Sequence, residues 1–109
     1  MMKSLHTIAE LEQAITEHDV VVLDLYATWC VPCQQMLPVV GELAEASSVP
    51  FYKVDIDEVP EVKEFTGAKA VPMLLIYKQG KKREFAFGIT EKTKIENVLK
   101  IISYHDGGH

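Results

Sequence analysis

The sequence predicts an α/β domain: a mixed central sheet of four to five strands, flanked on both faces by four helices. Three observations carry that prediction. The near-continuous β-branched run "DVVVLDLYA" (19–27) is the mark of a strand covered on both faces. Segments with helical periodicity separate the early strands, which therefore pair in parallel through right-handed crossovers. The last two strands are joined only by a turn at Gln79-Gly80, so they must be antiparallel. At 109 residues, 48% of them hydrophobic and 25% charged, the chain is one domain spanning 1–109. It is long enough to bury a core without disulfides or a metal.

The elements follow in order. Thr7-Ile8-Ala9-Glu10 is a capping-box pattern, and Ile8, Leu11, Ala14 and Ile15 recur on one side of the helix it opens. The β-branched run comes next. Beyond it Cys33, Met36, Leu37, Val40, Leu43 and Ala44 share a helical face. That pattern continues past Pro38, so the proline is expected to kink the helix rather than end it. "PFYKVDI" (50–56) alternates in part and makes another strand. "DEVPEVKEF" (57–65) makes a short helix, with Asp57 as its expected cap. "PMLLIYKQGKKREFAFG" (72–88) forms the hairpin. Thr90 then caps a last helix that buries Ile95, Val98, Leu99 and Ile102. Residues 2–5 lack a strand's alternation, which leaves a fifth, edge strand open. The stretch 105–109 reads as a frayed tail.

Charge and hydropathy remove whole classes of function. The formal net charge is −5 and the largest basic cluster is Lys81-Lys82-Arg83, so no basic footprint for nucleic acid exists. "MMKSLHTIAELE" has no apolar run of signal-peptide length. The longest apolar stretch is too short for a bilayer and carries an aspartate. These features lead us to expect a cytoplasmic monomer with no membrane or nucleic-acid partner, in a compartment that keeps idle thiols reduced.

Both cysteines fall in "YATWCVPCQQMLP" (26–38), and three readings compete. As a staple the pair would be poor, because closing so short a loop removes only about 2 kcal/mol of unfolded-state entropy before strain. As metal ligands they need partners. A second C-x-x-C is absent, and His6, His18, His105 and His109 lie at the edges of the chain with no helical pairing. As a working dithiol they are well placed. Cys30 stands where a buried strand ends and a helix begins, so free N–H groups and the helix dipole stabilise its thiolate. Pro32 suits the first turn, where its missing N–H is not needed. Cys33 comes round to the same helical side, and a low-pKa Cys30 is a good leaving group when Cys33 attacks it. Asp24, in the middle of the apolar run, either hydrogen-bonds at a strand edge or is buried. Burial would raise its pKa until it accepts a proton near neutrality.

These residues together resemble the thioredoxin family over nearly the whole chain. Trp29-Cys30-x-Pro32-Cys33 follows a strand that carries Asp24, and Ala70-Val71-Pro72 precedes the apolar strand. The "YKQGKK" turn and Gly88 before the last helix complete the pattern. The resemblance implies the thioredoxin fold and a protein-disulfide reductase. Cys30 would be the attacking thiolate and Cys33 the resolving thiol. Asp24 would lie beneath Cys33 and exchange its proton, with Lys53 as its charge partner. Trp29, Val31, Pro32, Val71, Pro72 and Gly88 would form the substrate surface. There the Val71 backbone pairs with an extended client segment, and a cis bond precedes Pro72. The resemblance implies no bound cofactor beyond the redox-active pair. Electrons would come from a separate reductase of the thioredoxin-reductase type and pass to disulfide-containing proteins.

Plainer roles stay open: packing for Trp29, solvation for Lys53, a bend for Gly88, an ordinary trans bond before Pro72. Departures from the family pattern are Val31 for glycine, Tyr26 for tryptophan, Gln34 for lysine, and Ala70 and Met73 for glycine and threonine. None removes the chemistry; together they bear on the redox potential and on partner choice, with Val31 narrowing what can approach. Two rival functions remain: a glutaredoxin-like enzyme using glutathione, against which Trp29 and Asp24 argue, and an interaction module whose dithiol is incidental.

Overall fold

The computed structural model describes residues 2–87 and 91–107, with side chains for 2–83 and 91–102. The elements are β1 (Lys3–Ser4), α1 (Ile8–Glu17), β2 (Val20–Tyr26), α2 (Val31–Ala46), β3 (Phe51–Asp55), α3 (Val62–Thr66), β4 (Met73–Lys78), β5 (Lys81–Phe87) and α4 (Lys92–Gly107). The strands make one mixed sheet in the order β1-β3-β2-β4-β5. β3 runs parallel to β1 and β2, while β4 runs antiparallel to β2 and β5. The edge strand left open by the sequence is real: Lys3 and Ser4 pair with Tyr52 and Lys53. Two residues are too few to show a period, so only the pairing reveals it.

Strand alternation divides the core in two. On one face Val21, Leu23 and Leu25 of β2 pack with Leu11, Ala14 and Ile15 of α1 and Val62 of α3. On the other, Val20 and Val22 pack with Met36, Val40 and Leu43 of α2 and Ile95, Leu99 and Ile102 of α4. Cys30 and Cys33 belong to the first cluster, although the rest of α2 packs on the second face. The start of α2 therefore joins the two cores at the end of the sheet.

Local signals explain most boundaries. Thr7 caps α1, its Oγ accepting the Glu10 N–H at 3.1 Å. The Glu10 carboxylate accepts the His6 N–H at 2.6 Å, one residue earlier than a regular capping box. α2 runs through Pro38 without ending. Gln79 and Gly80 both have positive φ, 51° and 82°, as a two-residue hairpin turn of the favoured hand requires. One expectation fails. Asp57 does not cap α3, which begins only at Val62 after a run of turns. Pro60 disfavours the helical region for Val59 and delays the helix. Gly88 and Thr90 lie outside the described residues.

Candidate active site

The dithiol is built by the turn from β2 into α2. The Cys30 N–H donates to the Ala27 carbonyl at 3.2 Å, and Cys30 takes the extended conformation of an N-cap. Its carbonyl starts the helix by accepting the Gln34 N–H at 3.2 Å. Its Sγ accepts the Cys33 N–H, also at 3.2 Å. Cys30 and Cys33 are joined as a disulfide, with Cα atoms 5.2 Å apart, and both are buried. On reduction, a charge on Cys30 Sγ would sit on an atom that already takes a helix N-terminal hydrogen bond, where the helix dipole also favours it. Pro32 occupies the first turn and leaves no amide unpaired there. The Gln34 side-chain amide donates to the Ala27 carbonyl at 3.3 Å and ties the same turn to the helix.

Asp24 is buried, at 2% exposure, not set at an exposed edge. By alternation it lies on the face covered by α2 and α4, paired with Lys53 on β3 and Leu74 on β4. Its Oδ2 has no hydrogen-bond partner. Burial raises its pKa from 3.8 to about 7, while the charge of Lys53 pulls it down. Lys53 is thus an electrostatic neighbour of Asp24. Its Nζ lies 5.8 Å from the centroid of the Tyr26 ring.

Around the cysteines, Trp29 and Val31 are exposed at 67% and 64%. Pro32 is exposed beside them. Trp29 is held by a hydrogen bond of 2.8 Å from its indole N–H to Asp57. Val71 packs against the cluster that contains both cysteines, and the bond from Val71 to the buried Pro72 is cis. The structure thus gathers Cys30, Cys33 and Val71 in one place. It sets Asp24 and Lys53 side by side beneath α2, and it leaves Gly88 undescribed. The sequence reading missed Asp57 as the Trp29 anchor. Its signal, an aspartate at the end of a strand, was spent on a helix start. Among the described residues no group of three or more His, Cys, Asp or Glu could hold a metal ion. None of the described helices is long and apolar enough to cross a membrane.

A buried cysteine pair closed across the first turn of a helix, with one sulfur stabilised by the helix N-terminus, can open and close by exchange. The chain is a thiol–disulfide oxidoreductase, and its comparison with known proteins places it more closely. The thioredoxin family model matches residues 3–101. Thioredoxin-1 of Saccharomyces cerevisiae is 38% identical over 82 residues, 74% of this chain and 80% of that protein. Thioredoxin 1 of Synechococcus elongatus is 38% identical over 96 residues, 85% of this chain and 90% of that protein. Among solved structures, Fasciola hepatica thioredoxin superposes with a TM-score of 0.85 at 33% identity, covering 93% of this chain and 99% of its own. A mutant thioredoxin from Halobacterium salinarum gives a TM-score of 0.86 at 30% identity, covering 92% of this chain and 88% of its own. The chain belongs to the thioredoxin family. It has the thioredoxin fold, and membership implies disulfide substrates and a reductase as electron donor.

Proposed function

We propose that this chain is a cytoplasmic, monomeric reductase of protein disulfides. The reading is carried by one observation: Cys30 Sγ already accepts the Cys33 N–H at the start of α2. In the reduced protein the Cys30 thiolate attacks a client disulfide. The client S–S bond breaks, one client sulfur leaves as a thiolate and takes a proton from water, and a mixed disulfide forms on Cys30. Asp24, in its carboxylate form, takes the proton of Cys33. The resulting thiolate attacks Cys30 Sγ and expels the second client sulfur. The net change reduces the client by two electrons and leaves the Cys30–Cys33 disulfide, which a separate reductase reopens. A carboxyl with a pKa of about 7 serves this step, because it can hold or release a proton near neutrality. Trp29, Val31, Pro32, Val71 and Pro72 form the client surface, with the Val71 backbone adding to an extended client strand.

The two cysteines are distinguishable by experiment. Mild alkylation of the reduced protein, followed by peptide mapping, should label Cys30 first. Cys33→Ser should accumulate mixed disulfides with client proteins, whereas Cys30→Ser should accumulate few. Preferential labelling of Cys33, or equal trapping by both variants, would reverse the assignment.

A further inference from the structure

Tyr26 stands where the family pattern has tryptophan, and the exchange chemistry above gives it no task. Its surroundings do. Tyr26 closes β2 two residues beyond Asp24 and packs against the cluster that holds the cysteines, and Lys53 is the cross-strand partner of Asp24 on β3. The Lys53 ammonium lies 5.8 Å from the Tyr26 ring centroid, within reach of a cation–π contact. Besides the charge of Asp24, the ring face is the neighbour that attracts this ammonium. The geometry points to Tyr26 as a positioning residue for the exchange: its ring face holds the Lys53 ammonium over the sheet beside Asp24.

Without the ring the ammonium has somewhere else to go. Lys53 borders a hollow of about 540 Å³, whose α2 wall carries Gln34 and the carboxylates of Glu42 and Glu45. Swinging into that hollow would withdraw a positive charge from Asp24. The remaining charged groups nearby are Asp55, at the end of β3, and Glu58 in the turn after it, both of which act on Tyr26. β4 contributes the apolar Leu74 opposite Asp24. Burial first, and then Asp55, Glu58 and Asp24, push the Tyr26 phenol above its usual range. The ring is therefore neutral at working pH, and only its π face attracts the lysine. This inference rests on the reading of Asp24 as the proton acceptor of Cys33.

The test is a carboxyl NMR titration of Asp24 in the oxidised protein. Four forms are compared: wild type, Tyr26→Met, Lys53→Met and the double variant. Removing the ring also lets in water, which lowers the Asp24 midpoint in every background, so the informative quantity is the difference between backgrounds. Tyr26→Met should move the midpoint upward by about half a pH unit more with Lys53 present than with Lys53→Met. Tyr26→Phe and Tyr26→Trp, which keep a π face, should leave it near the wild-type value. Equal shifts in both backgrounds, a difference of opposite sign, or a Tyr26→Phe that behaves as Tyr26→Met would each overturn the proposal. Should Tyr26→Met not fold, Tyr26→Leu takes its place, and Lys53→Met alone must still raise the midpoint. A companion measurement is the pH profile of mixed-disulfide resolution in Asp24→Asn. If that profile matches wild type, the proton-acceptor reading has failed, independently of whether Tyr26 holds Lys53.

Discussion

Two ionisable side chains lie buried on one face of the sheet, at its opposite ends. Asp24 sits at the cysteine end of β2, and Lys78 closes β4 opposite Val20. Each is 2% exposed. Lys78 donates a hydrogen bond of 2.5 Å to Asp19, a carboxylate that is itself 60% exposed. That bond, with the lysine's charge, holds Asp19 below the usual carboxylate range. The Asp19 carbonyl also accepts the Gln79 N–H at 2.8 Å, so this residue ties the hairpin turn to the start of β2. Asp24 has no such partner at Oδ2, and burial raises its pKa instead. A buried charge held by a direct hydrogen-bonded ion pair fixes structure in place, whereas a carboxyl without such a bond takes up a proton more readily. The molecule keeps the first arrangement at the hairpin end of the sheet and the second at the cysteine end.

The largest effect should come from removing the unpaired charge. The folded-state pKa of Asp24, about 7, lies above the ordinary 3.8, so the folded protein holds this proton longer than the unfolded chain does. Its stability contribution is full below about pH 4 and is lost as pH rises through about 7. A shift of this size corresponds to roughly 4 kcal/mol. Asp24→Asn should therefore be more stable than the wild type by roughly 3 kcal/mol at pH 8, an amide still being polar, and by little at pH 4. Urea unfolding of both oxidised proteins at the two pH values measures this. An equal difference at both would mean that Asp24 ionises freely and that the contrast with Lys78 is empty.

At the paired end the order of damage should invert expectation about which partner matters. Asp19→Ala strands a charge inside the protein, whereas Lys78→Met fills the same space without one. Asp19→Ala should lower the melting temperature more than Lys78→Met, although Asp19 is the exposed member. Thermal unfolding of the two variants decides it, and the reverse order would show that Lys78 supports the fold through more than its bond to Asp19. The smallest effect belongs to a neutral reference far from both charges. Thr7→Ala removes the cap of α1 and should cost about 1 kcal/mol, by the same amount at pH 5 and pH 8. A pH-dependent loss there would show that the slope assigned to Asp24 has another source.

Much of this contrast was legible before the fold was known. The burial of Asp24 was one of the two readings open to it, and its place in "VVVLDLYA" favoured it, since a strand covered on both faces hides its mid-strand side chains. Cys30 at a helix start and Pro32 in the first turn follow from the order of apolar run, cysteine and helical period. Lys78 was invisible, because a lysine ending an apolar strand beside a turn ordinarily reaches solvent. Asp57 was misassigned for a related reason: an aspartate before an apolar run signals a cap equally well whether or not a tryptophan stands nearby.

The sequence by itself determined the periods, and with them the mixed sheet, the helix that receives the cysteines and the apolar setting of Asp24. Periodicity is local, and a strand or helix declares its buried side within a few residues. The pairing of Lys53 with Asp24 was implied by the family resemblance; only the tertiary structure decided the other partners: Lys53 over Tyr26, Asp57 on Trp29, Asp19 on Lys78, and β1 on β3. These contacts join residues far apart in the chain. Their free energies are small individually and set by distance, which no local pattern encodes.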